Sequence, residues 1–564
     1  MAKKKNEIKL NIDSTFTSIA TGITGITVFI TLVIFPLYTH NMYFDILGAR
    51  YLFFKLLVVF QLALLALLGV IYLLVDNKKD TINPNGSAFD RLINLFRPEN
   101  LIKHINLVDI FFIVLIISMS IGTFFSEFLE ESYYGNAGRY QGLECWILYI
   151  LFYFMVSRTF KYKRFYLDFA LLAGTFACLW GISDFFYMDI FGFFRNVSEA
   201  QKMQFTSSVG NLNTYTNYTL MIFAISSALF MIEKNILKTI FYGLISLISI
   251  TASIFGISDN VLLGFGAFFI MAPFILFKDK RAIVRFFYLS AMVFFGIFLY
   301  YTAIHSGHRI NPYYRSIFSQ ISESTIIRYM FIPFLLVAIL LNYLYSRKIM
   351  ISNELVSPME QEAPKIYIRV YTAIVLIVFV SIIYILFDVN VAKTHIDTWN
   401  KLPFVNQLRF NDDWGTHRGH NWKIAFINFT ERFNWFKRIF GHGPDTYLII
   451  TETSFYDEMV NRYKEIYDSA HNELINYLMC EGIIGLISYL GVVITSIVYG
   501  VKCIKENREV SALVLCVVVY LAQSIVNIAI PITTPVYFVT MFMTVAVYLN
   551  SDLYKNKIAA KYGE

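Results

Sequence analysis

Residues 468–490 read DSAHNELINYLMCEGIIGLISYL, and the apolar run continues to residue 500. A bilayer-spanning helix needs about 20 mostly apolar residues. The stretch 474–500 meets that length, so a polar segment runs straight into the mouth of a membrane helix. Upstream, residues 418–447 read RGHNWKIAFINFTERFNWFKRIFGHGPDTY. An arginine, several histidines and a glycine turn thus stand before the span. Such an arrangement lets a membrane protein hold an anionic headgroup at the bilayer surface and do chemistry there.

The rest of the chain fits that reading. It has 564 residues, of which 57% are hydrophobic, 18% aromatic and 15% charged. A soluble domain carries roughly 25% charged residues. The fold class is therefore all-α and polytopic, because a membrane barrel would show short alternating strands instead. The opening residues MAKKKNEIKL are basic, yet a long apolar run follows without a small-residue cleavage site. The first span is expected to be retained.

Candidate spans lie near 15–38, 51–75, 107–126, 141–157, 166–187, 213–232, 238–256, 260–277, 284–304, 325–345, 367–388, 474–500, 510–530 and 534–550. That makes about fourteen. With the N-terminus inside, the cytoplasmic loops collect Lys78, Lys79, Arg158, Lys161, Lys163, Arg164, Lys278, Lys280, Arg281, Arg347, Lys348, Lys502, Lys505 and Arg508. This bias places both termini in the cytoplasm. It also explains the net charge of +7 without a nucleic-acid partner. Cys145, Cys178, Cys480, Cys503 and Cys516 have neither metal-ligand spacing nor a disulfide framework. Richness in Ile, Asn, Lys, Tyr and Phe suits a low-GC bacterium.

Three regions follow. Residues 1–388 hold helices 1–11, and residues 389–470 form a large extracytoplasmic loop before the third-last helix. Residues 471–564 hold helices 12–14 and a cytoplasmic tail. The 389–470 loop is by far the longest, and long loops are usually functional or disordered. Trp399, Trp414, Trp422 and Trp435, with a helical pattern at 420–436, mark it as a folded cap lying on the membrane.

Several residues here have chemical potential. His471 is expected in the first turn of its helix, capped by Asp468 or Ser469. The positive helix end disfavours imidazolium, and a neutral ring can take a proton from a sugar hydroxyl. The plainer reading is a helix-end histidine. Glu481 is an ionisable residue inside an apolar run, where a partner is the rule. Gly482 and Gly485 allow close packing around it. Arg418 has the planar fork that binds phosphate bidentately, or else is simply solvated. His417 and His420 flank it and read as structural. Arg139 in GRYQGLE, and His305, His308, Arg309 and Arg315 in the 305–324 loop, add cations able to converge on a lipid-linked diphosphate. Asp412 and Asp413 lack a third ligand at metal spacing, so no metal is expected.

Together, Arg418-x-x-x-Trp422, GHGPDTY and HNELINYLMCEGIIGL resemble the O-antigen ligase and polysaccharide polymerase superfamily of bacterial membrane glycosyltransferases. The matching residues are Arg418, Trp422, Gly441, Gly443, Tyr447, His471, Asn472, Glu481, Gly482 and Gly485. GRYQGL, with Arg139 and Gly142, and SSVGNLNTYTNY, with Gly210, Asn211 and Asn213, are similar too. The chain departs from the pattern at ISDNVLLGFG, where members often have Arg and this sequence has Asp259.

The resemblance implies a metal-independent, inverting glycosyltransferase without a cofactor. Its donor would be an undecaprenyl-diphosphate-linked oligosaccharide, and its acceptor a hydroxyl of a glycan, lipid or protein. His471 would be the base, and Arg418, with Arg139, would bind the diphosphate. Asn211, Trp422, Tyr447, Asn472 and Glu481 would complete the substrate site, with Glu481 fixing the helix or orienting a cation. Polymerisation of a surface glycan such as a capsule, and ligation of a finished polymer, both fit. The rival class is a lipid-linked oligosaccharide flippase. A transporter should show repeated halves and cations facing a central cavity, and neither is evident.

Overall fold

The computed structural model describes residues 2–77, 97, 104–136, 138–307, 316–347, 349–351, 354–356, 358–402 and 405–562. Arg309, with its neighbours His308 and Arg315, lies outside the described residues.

The architecture is helical and membrane-spanning. Ten described helices are long and apolar enough to cross a bilayer, or eleven if the bent pair Thr534–Asn550 and Asp552–Lys561 is one span. The expectation of about fourteen is therefore reduced. Shorter helices occupy three of the expected spans, at Leu143–Thr159, Val261–Leu276 and Val510–Ser524. Two small antiparallel pairs, Phe205–Thr206 with Gly210–Asn211 and Ile349–Ile351 with Glu354–Val356, are the strands among the described residues.

Local chemistry sets the helix starts. Asn106 caps Leu107–Phe124 in a reciprocal box with Asp109. Asn235 caps Ile236–Phe255, and Asp279 caps Lys280–Ile304. The helix Leu212–Ile232 forms the axis, its most apolar window wholly buried. Hydroxyls join it to Ile236–Phe255. Thr219 bonds Ser253 at 2.7 Å, and Ser227 donates to Ser246 at 3.2 Å. Small polar residues of this kind let membrane helices approach closely.

Arg50 is a cation within an apolar span, and it is fully buried. Its guanidinium donates to the carbonyls of Pro36 at 2.8 Å, Tyr38 at 3.1 Å, Ser208 at 2.6 Å and Ile532 at 3.4 Å. One side chain thus satisfies four irregular backbone groups and ties three loops together.

The helix Lys365–Phe387 stands apart, with none of its residues buried. It touches the bundle through Tyr371, which packs on Phe274 and Phe277. It leads into the cap, which is folded and largely helical. Trp414–Ile427, Trp435–Phe440 and Tyr447–Tyr463 are its main helices. Ile424, Phe433, Tyr447, Ile450, Met459 and Tyr467 form its own small core against Ile475, Met479 and Cys480.

The expected continuous span 474–500 is broken. Glu473–Cys480 is one short helix, and Gly482–Cys503 is the spanning one. Gly482 sits at φ +70°, and a Cβ there would lie 2.4 Å from the carbonyl oxygen of Ile439. The break therefore exists where the backbone leading into the GHG turn presses against the helix junction. Gly441 belongs to the same contact, its Cβ position lying 1.9 Å from the Cys480 carbonyl oxygen. These glycines serve backbone packing.

Candidate active site

The N-cap of Glu473–Cys480 is Asn472, not Asp468 or Ser469. Its side chain accepts from Leu474 N–H at 3.0 Å and Ile475 N–H at 3.1 Å. Asp468 is engaged elsewhere, in a 2.6 Å ion pair with Arg139. His471 consequently precedes the helix rather than sitting in its first turn. It takes a left-handed conformation, φ +47°, that turns the chain from the cap into the cap residue.

A polar cavity opens beneath it. The lining includes Arg139, Gln141, Asp445, His471, Asn476, Glu481 and Asn527. Its volume is about 30 Å³. A buried water needs roughly 10–15 Å³, so this space suits water rather than a sugar ring. Nε of Arg139, Nε2 of Gln141 and Oε2 of Glu481 face no protein partner. Nearby, Glu473 accepts from Tyr520 at 2.9 Å and Tyr489 at 3.2 Å.

The electrostatics centre on His471. Burial, then the charges of Arg418 and Arg139, push its imidazole down to about 4, against an opposing pull from Asp468. An imidazole held that low is neutral near pH 7, kept there by desolvation and two cations. Arg418 follows three left-handed residues, Gly415, Thr416 and His417, that kink its helix. Its Nε is buried without a partner, and Asp259 is its attractive charge. Asp259 in turn accepts the N–H of Ile317 at 2.7 Å.

Asp445 was not legible as a site residue. It lies in GHGPDTY at φ +60°. Its Oδ2 accepts the N–H groups of Asn136 at 2.8 Å and Gln141 at 3.1 Å, fastening the Arg139 loop to the cap. Burial raises it to about 6, against the charge of Arg139 and two backbone hydrogen bonds. Asn476 and Asn527 also escaped the sequence reading, which offered Asp468 only as a helix cap. An aspartate in a turn, or an asparagine near a helix end, carries no signal of its own.

Trp422, Tyr447 and Asn211 do not line the cavity. Trp422 donates from Nε1 to the Ala470 carbonyl at 2.8 Å, and Asn421 donates to the Ser469 carbonyl at the same distance. Tyr447 is buried and donates to Asn421 Oδ1 at 2.5 Å. These three hold the segment that ends at His471. Asn211 is exposed on its strand and caps Leu212–Ile232 by accepting from Asn213 N–H at 2.9 Å. The Asn213 carbonyl accepts from Asn527 at 3.2 Å, which links that helix start to the cavity wall.

Cap histidines have structural partners. His417 pairs with Glu465 at 3.0 Å and His420 with Glu458 at 2.9 Å. Asp412 is held by Arg462 at 2.8 Å and Lys423 at 3.6 Å. Among the described residues no three His, Cys, Asp or Glu side chains group to hold a metal ion.

A multi-pass helical membrane protein with a folded cap closing a polar, arginine-flanked histidine site is the class that this geometry defines. Residues 317–490 match the family model described as O-antigen ligase. The matched segment spans the cap, His471 and the start of the following span. Arg139, Asn211 and Asn527 lie outside the matched segment. No curated protein matches the chain.

Proposed function

We propose that the protein is an inverting glycosyltransferase that needs no metal and acts at the outer face of a bacterial plasma membrane. Its donor is an undecaprenyl-diphosphate-linked glycan, and it polymerises a surface polysaccharide or ligates it to a hydroxyl acceptor. The observation that supports this reading most is that His471 and Arg139 line one polar cavity, with the Arg418 charge also acting on the imidazole.

In this mechanism the acceptor oxygen attacks the anomeric carbon as the bond to the diphosphate oxygen breaks. The acceptor proton passes to His471, and the leaving diphosphate keeps the electron pair. Arg418 and Arg139 stabilise that developing charge, as preorganised cations do in a dry site. Arg309, from the loop after Lys280–Ile304, adds a third cation in this reading. Asn472 holds the base at the helix mouth, Glu481 forms part of the wall, Trp422 and Tyr447 brace the segment before His471, and Asn211 meets substrate at the start of Leu212–Ile232. The cavity is smaller than a sugar ring, so the donor enters as the cap parts from the bundle. The cap lies outside the cell and both termini lie inside.

The test uses purified protein and a lipid-diphosphate repeat unit, with EDTA present. A product ladder from wild type and none from His471→Ala is the expected result. Single-step transfer to an added acceptor would make it a ligase. Full activity of His471→Ala, or activity that returns only with Mg²⁺ or Mn²⁺, would overturn the mechanism.

A further inference from the structure

The end of the bundle opposite the cavity holds a second group of cations with different chemistry. Gly482–Cys503 starts beside the cavity and ends just before Lys505 and Arg508. Val510–Ser524 then returns towards Asn527 in the cavity wall. Arg508 therefore sits in the turn at the other end of these two helices from His471. Its Nη1 donates to Asp279 Oδ2 at 2.5 Å. Asp279 also caps Lys280–Ile304, accepting the N–H of Ala282 at 3.0 Å.

The rest of that guanidinium is unused. Nε and Nη2 of Arg508 are buried and have no hydrogen-bond partner. These two N–H groups share one edge of the planar group, the fork that receives two oxygens of a single anion. Lys278 feels the positive charges of both Arg508 and Lys505. Arg508 holds the Oδ2 of Asp279, Lys278 is the residue just before that carboxylate, and Lys505 shares the turn of Arg508. Buried donors without acceptors cost about 1–3 kcal/mol each, so an open fork favours an anion or ordered water there.

The surroundings set the depth. Lys280 lies over the Tyr345 ring at 5.2 Å, and the Tyr345 hydroxyl meets that of Tyr367 at 3.1 Å. Tyrosines and lysines together at span ends are the signature of the membrane–water boundary.

We infer that Arg508, with Lys278 and Lys505, forms a binding site for a phosphate-bearing anion at the bilayer boundary. The Arg508 edge takes two phosphate oxygens, and the two lysines supply the remaining charge. A lipid headgroup and a free phosphate share this chemistry. The site is independent of glycosyl transfer.

The experiment titrates full-length protein in detergent with phosphatidylglycerol, with diacylglycerol, which has the same tails but no phosphate, and with inorganic phosphate. Bound lipid is read by native mass spectrometry and unfolding by a thermal scan. Phosphatidylglycerol should bind and raise Tm, and diacylglycerol should not. Lys278→Gln with Lys505→Gln leaves the Arg508–Asp279 pair intact and should weaken binding on the order of tenfold or more, given about fivefold per basic residue near a charged membrane. Arg508→Lys keeps the charge and loses the fork, and should weaken binding as well. Competition by millimolar phosphate would make free phosphate the ligand, and resistance to it would make the headgroup the ligand. Equal binding of the two lipids, or wild-type affinity in the double variant, would overturn the site.

Discussion

The indole N–H of Trp422 donates to the carbonyl oxygen of Ala470 across the cap, 2.8 Å away. The next residue is His471. An aromatic ring in one helix thereby fixes the backbone immediately before the proposed base, with Asn421 holding the residue before that.

Trp422→Phe removes this hydrogen bond and keeps most of the packing. The stability loss should be about 1 kcal/mol. Turnover should fall much further than Tm implies, because the 469–471 segment is freed. Thermal unfolding and donor consumption, measured on the same preparation, check the contrast. A proportionate small loss in both would mean that the indole only packs.

The pH profile follows from the His471 environment. Its imidazole lies near 4, below its ordinary value of 6.5, through burial and the charges of Arg418 and Arg139. The base form therefore persists on acidification past pH 6, and activity should be lost only as pH falls towards 4. Removing the Arg139 charge relieves repulsion of the protonated ring and also frees Asp468. In Arg139→Gln the acidic limb should move to higher pH. Initial rates between pH 3.5 and 8 decide this.

Arg418→Lys keeps a positive charge but replaces the fork with a point charge. The expected loss is on the order of 10²-fold in turnover, the scale of losing one preorganised donor. Wild-type turnover in this variant would remove Arg418 from the diphosphate site.

Asp445 joins two backbone N–H groups of the Arg139 loop through one oxygen. Asp445→Asn keeps an oxygen acceptor and should retain the fold. Asp445→Ala strands both donors in a buried site, at about 1–3 kcal/mol each. A clear Tm gap between the two variants is expected.

Gly441→Ala and Gly482→Ala test the junction between cap and bundle. Each residue has a positive φ, and each added methyl would collide with backbone, at Cys480 or Ile439. Both variants should lower Tm sharply, whereas Gly22→Ala, where a Cβ meets nothing, should not.

What the sequence revealed had a local cause. Apolar runs of span length gave the helices, and the tryptophans with helical spacing gave a folded cap. The helices Leu143–Thr159, Val261–Leu276 and Val510–Ser524 stand at expected spans but are shorter than 18 residues. The break at Gly482 depends on a turn some forty residues upstream in the cap, so the run from 474 to 500 read as continuous. His471 stands out in the sequence from its place at a span mouth, and it lines the cavity. Asp468, the partner of Arg139, reads instead as a cap because capping is the commonest duty of an aspartate before a helix. Asp445 and Asn527 join the site through pairings across more than a hundred residues, or through walls built by other helices. Single-position chemistry has no access to such contacts.

The isolated helix Lys365–Phe387 has a mechanical consequence. Tyr367 and Tyr371, near its first turns, meet the bundle, and its far end passes through Asp388 into the cap. Lipid is its neighbour for most of its length, so the identity of its outward residues matters little provided they stay apolar. Its length matters a great deal. A bilayer thinner than this rod would tilt it, and the tilt would pull on the polypeptide that carries Arg418. Membrane thickness thus becomes a variable acting on the cap, transmitted by a strut that bears no site residue.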